Sequence, residues 1–121
     1  EVYGRENETD FKLLATASSG GKGSCHMALD AKENYLVCAS YFGDGFSVYE
    51  LNRDEKYVAD DFALVKHSSL ETLNGSIPVV YPGKNTERQE RCHPHMVTFD
   101  PEVWNTDILR VVDLGMNAVC S

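Results

Sequence analysis

The segment from residue 88 to residue 95 carries the side chains best suited to chemistry in this sequence. The planar guanidinium of an arginine can grip a carboxylate or a phosphate through two parallel hydrogen bonds, so Arg88 is a candidate anchor for a substrate anion. Histidine is the side chain that most readily exchanges protons near neutral pH. Because side chains two residues apart on a strand share a face, His93 and His95 are expected to lie together. The segment therefore predicts binding of a small anion and proton transfer on it.

Structural roles compete with these assignments. Arg88 could instead form an ion pair with Glu87 or Glu90, and Glu90 could orient a histidine or act as a second acid. His93 and His95 could supply half of a metal site, but no third ligand declares itself at a suitable spacing. The sequence therefore predicts no metal and requires no other cofactor.

The two remaining histidines have weaker signals. His26 opens a predicted strand, where it is either a third imidazole of the site or a satisfied structural histidine. His67 has no partner motif, so we expect it at the surface or in packing. Asp113 is expected mainly to accept hydrogen bonds in a turn.

The elements that must position these residues are strands. Helical periodicity is almost absent, and the apolar patterns are short, β-branched or aromatic, and separated by Gly, Asn and Asp. Turns of two to six residues between them favour an antiparallel meander, because parallel neighbours need long crossovers. Residues 68–91 predict a long loop that includes a short edge strand at 77–81. The other strands are predicted at 11–17, 26–29, 35–40, 46–51, near 62–66, 96–99, 108–112 and near 118–119.

An internal repeat relates the two strand-rich stretches. Each copy opens with a histidine, His26 or His95, and continues to a turn that starts at Asp30 or Asp100. The two aspartates are 70 residues apart (100 − 30), and subtracting a loop of roughly 24 residues leaves a period near ~46. Periods of about 40 to 50 residues with several strands each are typical of β-propeller blades.

The repeat predicts an all-β fold: a segment of about two to two and a half blades of a propeller. In this division residues 1–23 form the outer strands of one blade and 24–67 one full blade, and 68–91 form the loop before the inner strands at 92–121. A blade cannot bury both faces by itself, so the remaining blades are expected as partners, from a longer chain or a separate one. The first residue is Glu1 and not Met, which also leads us to expect a piece of a longer protein.

Four motifs make the sequence recognisable. They are Gly-Ser-Cys-His at 23–26, Ala-Ser-Tyr-Phe-Gly at 39–43, Arg-Gln-Glu-Arg-Cys-His-Pro-His at 88–95 and Val-Asp-Leu-Gly at 112–115. In this order they resemble the seven-bladed lactonase propeller family, which includes bacterial-type 6-phosphogluconolactonases and fungal carboxy-muconate cyclases. The resemblance spans residues 11–121, about a third of a family member, and departs from the family where residues 40–43 replace its frequent Asn-Tyr-Gly.

The resemblance implies the opening or closing of a small anionic lactone without a cofactor. The residues it implies in substrate binding are Arg88, Gln89 and Glu90. The residues it implies in proton transfer are His95, His93 and His26, which are expected to converge with Arg88 at the mouth of the central channel. The alternative is a non-catalytic ring that binds a partner or ligand at the same mouth, because fold does not fix function.

The charge composition limits the classes of partner that the protein is expected to bind. The 121 residues include 11 basic and 19 acidic side chains, which gives a formal net charge of −8. A field of this sign repels phosphate backbones and anionic lipid, so neither nucleic acid nor a membrane surface is an expected partner. No run approaches the roughly 18 apolar residues of a membrane helix.

The four cysteines are Cys25, Cys38, Cys92 and Cys120. None forms a Cys-x-x-Cys pair and their density is low, so buried free thiols are expected in place of a zinc site or a disulfide framework. Glycosylation patterns at 7–9 and 74–76 leave secretion open, whereas the family resemblance favours the cytoplasm. The compartment stays undecided.

Overall fold

The computed structural model describes residues 1–52, 54, 61–67, 72–73, 77–78, 81–100 and 108–120. These residues form eleven strands, all paired antiparallel, and none of them lies in a helix. The predicted all-β antiparallel meander is therefore confirmed. The strands are β1 (Val2–Arg5), β2 (Phe11–Ala15), β3 (Ser24–Leu29), β4 (Tyr35–Ser40), β5 (Gly45–Glu50), β6 (Ala63–Lys66), β7 (Thr72–Leu73), β8 (Ile77–Pro78), β9 (Pro94–Phe99), β10 (Leu109–Asp113) and β11 (Ala118–Cys120).

Four sheets result, each connecting strands in chain order. The largest has the order β3-β4-β5-β6, the next is β9-β10-β11, and β1-β2 and β7-β8 are two-stranded. The β7-β8 pair lies in the predicted long loop, of which residues 68–71, 74–76 and 79–80 are outside the described residues. The blade boundaries proposed from the repeat stay predictions.

Aspartate chemistry makes the first turn of the large sheet. Asp30 follows β3, and its carboxylate accepts hydrogen bonds from the backbone N–H of Tyr35 at 2.7 Å and of Lys32 at 3.2 Å. A short side chain that bonds the backbone ahead of it stabilises a tight turn, which explains the signal in the sequence.

The main core lies between the four-stranded and the three-stranded sheets. Val37, Ala39 and Phe46 from one sheet pack against Val97 and Val111 from the other, and all five are buried. Burying a side chain of Val or Phe size stabilises a fold by about 1.5–3 kcal/mol. The end strands β3 and β9 of these two sheets lie beside each other, and we call them the inner strands. The two copies of the repeat are therefore adjacent.

The opposite face of the four-stranded sheet carries a second cluster. Cys38 and Tyr49 are buried there against partly buried residues that include Val2 and Ala17. An apolar pocket of about 80 Å³ opens beside them. Because neighbouring residues on a strand face opposite sides, this pocket is on the side of the sheet away from His93 and His95.

Both inner strands contain a β-bulge near their first residue. In β3, Ser24 pairs with Ser40 whereas His26 pairs with Ala39, so Cys25 is the extra residue. The backbone N–H of Tyr41 then bonds the carbonyl oxygen of Gly23 at 3.0 Å.

The same arrangement recurs in β9. Pro94 pairs with Asp113 and Met96 with Val112, so His95 is the extra residue, and the N–H of Leu114 bonds the carbonyl oxygen of His93 at 2.9 Å. The structural equivalent of His95 is therefore Cys25. The alignment of His26 with His95 in the repeat is therefore wrong by one residue. The spacing agrees with the pairing, because Cys25 and His95 each lie five residues before the turn aspartate (30 − 25 and 100 − 95).

Candidate active site

His93 is the centre of the site. It directly precedes β9, and only 2% of its surface is exposed. Its Nδ1 donates to the carbonyl oxygen of Tyr41 at 2.7 Å, and its Nε2 lies 2.9 Å from Oε1 of Glu90. The imidazole also stacks on the Tyr41 ring, with centroids 4.5 Å apart and planes 18° from parallel. Every polar atom of the ring is thus engaged by a neighbour.

Asp113 lies beneath His93 at the end of β10. Its Oδ1 accepts the backbone N–H of His93 at 2.7 Å and that of Met116 at 3.0 Å, which confirms the predicted turn-bonding role. Its Oδ2 is 2.7 Å from Nδ1 of His67, and both side chains are buried. Burial alone would raise the pKa of Asp113, but the hydrogen bonds from His67, His93 and Met116 outweigh burial and lower it.

His67 was expected at the surface or in packing, and it is packed. It lies just after β6, with its ring edge against Phe46 at 5.5 Å between centroids. The ion pair with Asp113 was not predicted. No local pattern signals it, because 46 residues separate the partners.

His95 is the exposed member of the group. Its ring meets the Tyr41 ring edge-on, with centroids 5.7 Å apart, and its ring nitrogens have no hydrogen-bond partner among the described residues. The thiol of Cys25 donates to the His95 carbonyl oxygen at 3.3 Å, and burial raises the pKa of that thiol. The bulge therefore presents an imidazole to solvent while the neighbouring strand holds its backbone.

Glu90 joins the buried and exposed parts of the site. Its side chain is 46% exposed, and its Oε1 contacts His93 and lies 3.8 Å from Nε of Arg91. The pKa of Glu90 is lowered, first by a hydrogen bond from its own backbone N–H and then by His93 and Arg91. An ionised carboxylate is consequently expected at neutral pH.

Arg88 and Gln89 differ in their surroundings. Arg88 is exposed, and within the described part of the chain its guanidinium forms no ion pair with Glu87 or Glu90. Gln89 folds the loop, because its Oε1 accepts the backbone N–H of Asn85 at 2.9 Å and its carbonyl oxygen accepts that of Gly83 at 2.8 Å. A role of either residue in substrate binding stays a prediction.

His26 lies on the adjacent strand β3. Its Nδ1 faces the backbone N–H of Val97 at 3.5 Å, so the ring bridges the two sheets. Of the four groups expected to converge, the structure brings His93 and His95 onto one tyrosine ring. In the described residues no hydrogen bond, ion pair or ring contact joins His26 or Arg88 to that pair.

Tyr41 is the residue whose function sequence reasoning missed. The motif at 39–43 contains it, and its ring contacts both histidines while its carbonyl oxygen accepts a hydrogen bond from one of them. No local pattern signals these contacts, because 52 residues separate Tyr41 from His93.

The arrangement suits proton transfer. The Tyr41 ring contacts an exposed imidazole, His95, and a buried one, His93, whose Nε2 is bound to the half-exposed carboxylate of Glu90. Accessible imidazole and carboxylate groups can exchange protons with a bound substrate. Within the described ranges, no group of three or more His, Cys, Asp or Glu residues is placed to hold a metal ion. The same ranges contain no helix with the length and apolar character to span a membrane.

Comparison with known families agrees with this architecture. The family described as "Lactonase, 7-bladed beta-propeller" matches residues 2–121. A search of curated proteins finds no match. Because the family match covers nearly the whole chain, and the structure supplies the antiparallel meander sheets that the family requires, the chain belongs to the seven-bladed β-propeller lactonase family.

Proposed function

We propose that the protein acts on a small anionic lactone, by hydrolysis of the 6-phosphogluconolactonase kind or by muconate-type cyclisation. The observation that carries the proposal is that the Tyr41 ring contacts both the exposed imidazole of His95 and the buried imidazole of His93, which is bound to Glu90. Membership of the lactonase family supports lactone chemistry as the reaction class.

Lactone hydrolysis needs a base for the attacking water, an acid for the departing ring oxygen and an anchor for the substrate anion. His95 is the candidate for the base because its side chain is exposed and its ring nitrogens have no hydrogen-bond partner among the described residues. Arg88 suits the anchor because it is exposed and has no competing carboxylate among the described residues. His93 supports proton transfer from a buried position, and His26, which faces Val97, has the weaker claim.

The anchor is tested with Arg88→Ala. Losing a charged hydrogen bond costs about 1.5–3 kcal/mol, which corresponds to roughly 10- to 100-fold weaker anion binding. The measurement is steady-state hydrolysis of a phosphorylated aldonolactone and cyclisation of a carboxylated muconate. Lys84→Ala, which removes another exposed cation from the same loop, is the matched control and should leave KM unchanged. Unchanged kinetics of Arg88→Ala would remove Arg88 from the site.

The base is tested with His95→Asn. General acid–base groups contribute about 10²–10⁴-fold to rate, so kcat should fall by this factor while the fold is retained at an exposed position. If the wild-type protein binds the anions but turns over neither substrate, the protein is a non-catalytic propeller that binds a ligand.

We also propose that further propeller blades cover both outer sheet faces. Val97 is 0% exposed against the four-stranded sheet, but its structural equivalent Met27 is 63% exposed. On the other side, Phe46 is 8% exposed and its equivalent Val119 is 64% exposed. Each sheet therefore presents one half of an interface that the chain already forms once.

These faces predict that residues 1–121 alone self-associate, because large exposed apolar patches and open strand edges drive aggregation. Size-exclusion chromatography with light scattering measures this directly. A monodisperse monomer that melts cooperatively would contradict the proposed covering blades.

A further inference from the structure

The two hydrogen bonds of the His93 ring determine how many protons its two nitrogens and the Glu90 carboxylate hold together. A carbonyl oxygen can only accept, so the 2.7 Å contact between Nδ1 and the Tyr41 oxygen requires a proton on Nδ1. A neutral imidazole has only one N–H, and its Nε2 would then be an acceptor. Nε2 nevertheless lies 2.9 Å from a carboxylate oxygen of Glu90, which is also an acceptor when ionised. This contact therefore contains one proton more than a neutral imidazole beside an ionised carboxylate.

The surroundings favour placing that proton on His93. The stacked Tyr41 ring presents its π face to the imidazole, which is the geometry that stabilises a cation. Asp113 binds the backbone N–H of His93 and adds negative charge below the ring. Arg91, 3.8 Å from Glu90, favours the ionised carboxylate. Another titratable neighbour, His67, bonds the other oxygen of Asp113, and no contact between its ring and the His93 ring occurs among the described residues.

Accessibility separates the roles of the two partners. The His93 side chain is 2% exposed, whereas the Glu90 side chain is 46% exposed. A substrate can therefore reach Glu90 but not the imidazole behind it. His93 is placed as a positioning residue that holds a charge, and Glu90 is the group that meets the substrate.

We propose that Glu90 is the general acid of the reaction and that buried His93, as an imidazolium, supplies and stores the proton that Glu90 delivers. The inference rests on the proposed lactonase function. It moves Glu90 from substrate binding to proton transfer, a role in which its negative charge is compensated by His93 and does not repel an anionic substrate.

The proton balance in hydrolysis is complete with these groups. His95 takes a proton from the attacking water as the carbon–oxygen bond to that water forms. When the ring carbon–oxygen bond breaks, the departing alkoxide receives the extra proton of the Glu90–His93 pair, which leaves an ionised Glu90 and a neutral His93. Proton exchange with solvent then returns His95 and the pair to their starting states, so no further reactant is needed.

The charge state is tested by ¹⁵N NMR of histidine-labelled protein in its natural assembly. At neutral pH both ring nitrogens of His93 should give signals of protonated nitrogen. In Glu90→Gln the amide NH₂ can donate to Nε2, so the extra proton is no longer needed and Nε2 should change to an unprotonated signal. The control His95→Asn should leave the His93 signals unchanged. A wild-type His93 with one unprotonated nitrogen beside an ionised Glu90 would overturn the proposal.

Kinetics give the second measurement. Glu90→Gln should lower kcat by about 10²–10⁴-fold with KM within about twofold, because the acid acts in the chemical step. Glu87→Gln, a charge-matched control on the same loop, should retain the wild-type kcat. Melting curves identify any folding defect, which is unexpected at an exposed carboxylate. Wild-type kcat in Glu90→Gln would overturn the proposed role of Glu90 as acid. If the wild type hydrolyses no lactone, the proposed function fails, and NMR still decides the charge of the pair.

Discussion

The first residues of strands β3 and β9 share one backbone arrangement but differ in their side-chain chemistry. Both contain a bulge, Cys25 in one and His95 in the other, and in both a backbone hydrogen bond closes the turn that follows the next strand. The residue directly before β3 is Gly23, with φ +65°, and the residue directly before β9 is His93. At the end of the paired strand, Ser40 in the first copy corresponds to Asp113 in the second.

The aspartate explains why only one copy carries a polar cluster. Asp113 satisfies two backbone N–H groups and His67, and so permits a buried histidine above it. The Ser40 hydroxyl is buried and has no hydrogen-bond partner within the described residues. A repeated backbone thus provides the position of the site, and a single buried acceptor determines which copy can hold a charged ring.

The strongest test of this comparison is Asp113→Ala. Each buried donor left without its acceptor costs about 1–3 kcal/mol, and the backbone N–H groups of His93 and Met116 and the ring of His67 all bond Asp113, so the loss should be about 3 kcal/mol or more. Urea titrations of the protein in its natural assembly should show this loss in the free energy of unfolding, together with loss of the His93 signals of a buried ring. Asp113→Asn, which retains an acceptor oxygen, should cost less. Equal stability of the wild type and Asp113→Ala would mean that the acceptor does not support the site.

The residue two positions after these acceptors gives a second contrast. Gly115 lies so close to the backbone of the segment before β9 that an added Cβ would be 1.7 Å from the carbonyl oxygen of Arg91. Its equivalent Phe42 is 56% exposed. Gly115→Ala should therefore destabilise the fold by about 1–3 kcal/mol or more, since backbone must move. Phe42→Ala should cost less than Gly115→Ala, and the reverse order in thermal melting would contradict the equivalence.

The sequence predicted the fold well and the site only in part, for physical reasons. Strand period and turn residues such as Asp30 are local, so the meander followed directly from them. The spacing pointed to His93 and His95 as a pair, and Glu90 was considered as a group that could orient a histidine. The contacts that organise them join residues that are 46 and 52 positions apart, His67 with Asp113 and Tyr41 with His93, and no local pattern contains such pairs.

The repeat shows a different limit. Neighbouring residues on a strand face opposite sides, so an alignment that is wrong by one residue assigns a side chain to the wrong face. The histidines His26 and His95 look equivalent in the sequence, but the first faces Val97 in the sheet interface and the second faces solvent. The pairing registers identify Cys25 as the equivalent of His95, in agreement with the 70-residue offset between Asp30 and Asp100.

Acid should weaken the second copy more than the first. Despite burial, the hydrogen bonds from His67, His93 and Met116 keep the pKa of Asp113 below its usual value. A carboxyl whose pKa is lower in the folded state contributes stability that is fully present above its unfolded pKa, about 3.9, and is lost as pH falls through the folded pKa. Unfolding free energies measured from pH 6 downward should decline below about pH 4, with a shallower decline in Asp113→Asn. Parallel curves for the two proteins would contradict this contribution.

The smallest expected effect is that of Ser40→Ala, the matched change in the first copy. Its hydroxyl is buried beside Gly21 and Gly43 without a hydrogen-bond partner in the described residues, so removing it relieves a desolvated polar group and creates only a small space. We expect a change in unfolding free energy within about 0.5 kcal/mol, of either sign. The measurement is the same urea titration used for Asp113→Ala. A loss of several kcal/mol would show that the Ser40 hydroxyl bonds a partner in the full ring. Both copies would then contain a buried hydrogen-bonding side chain at this position, a serine in one and an aspartate in the other.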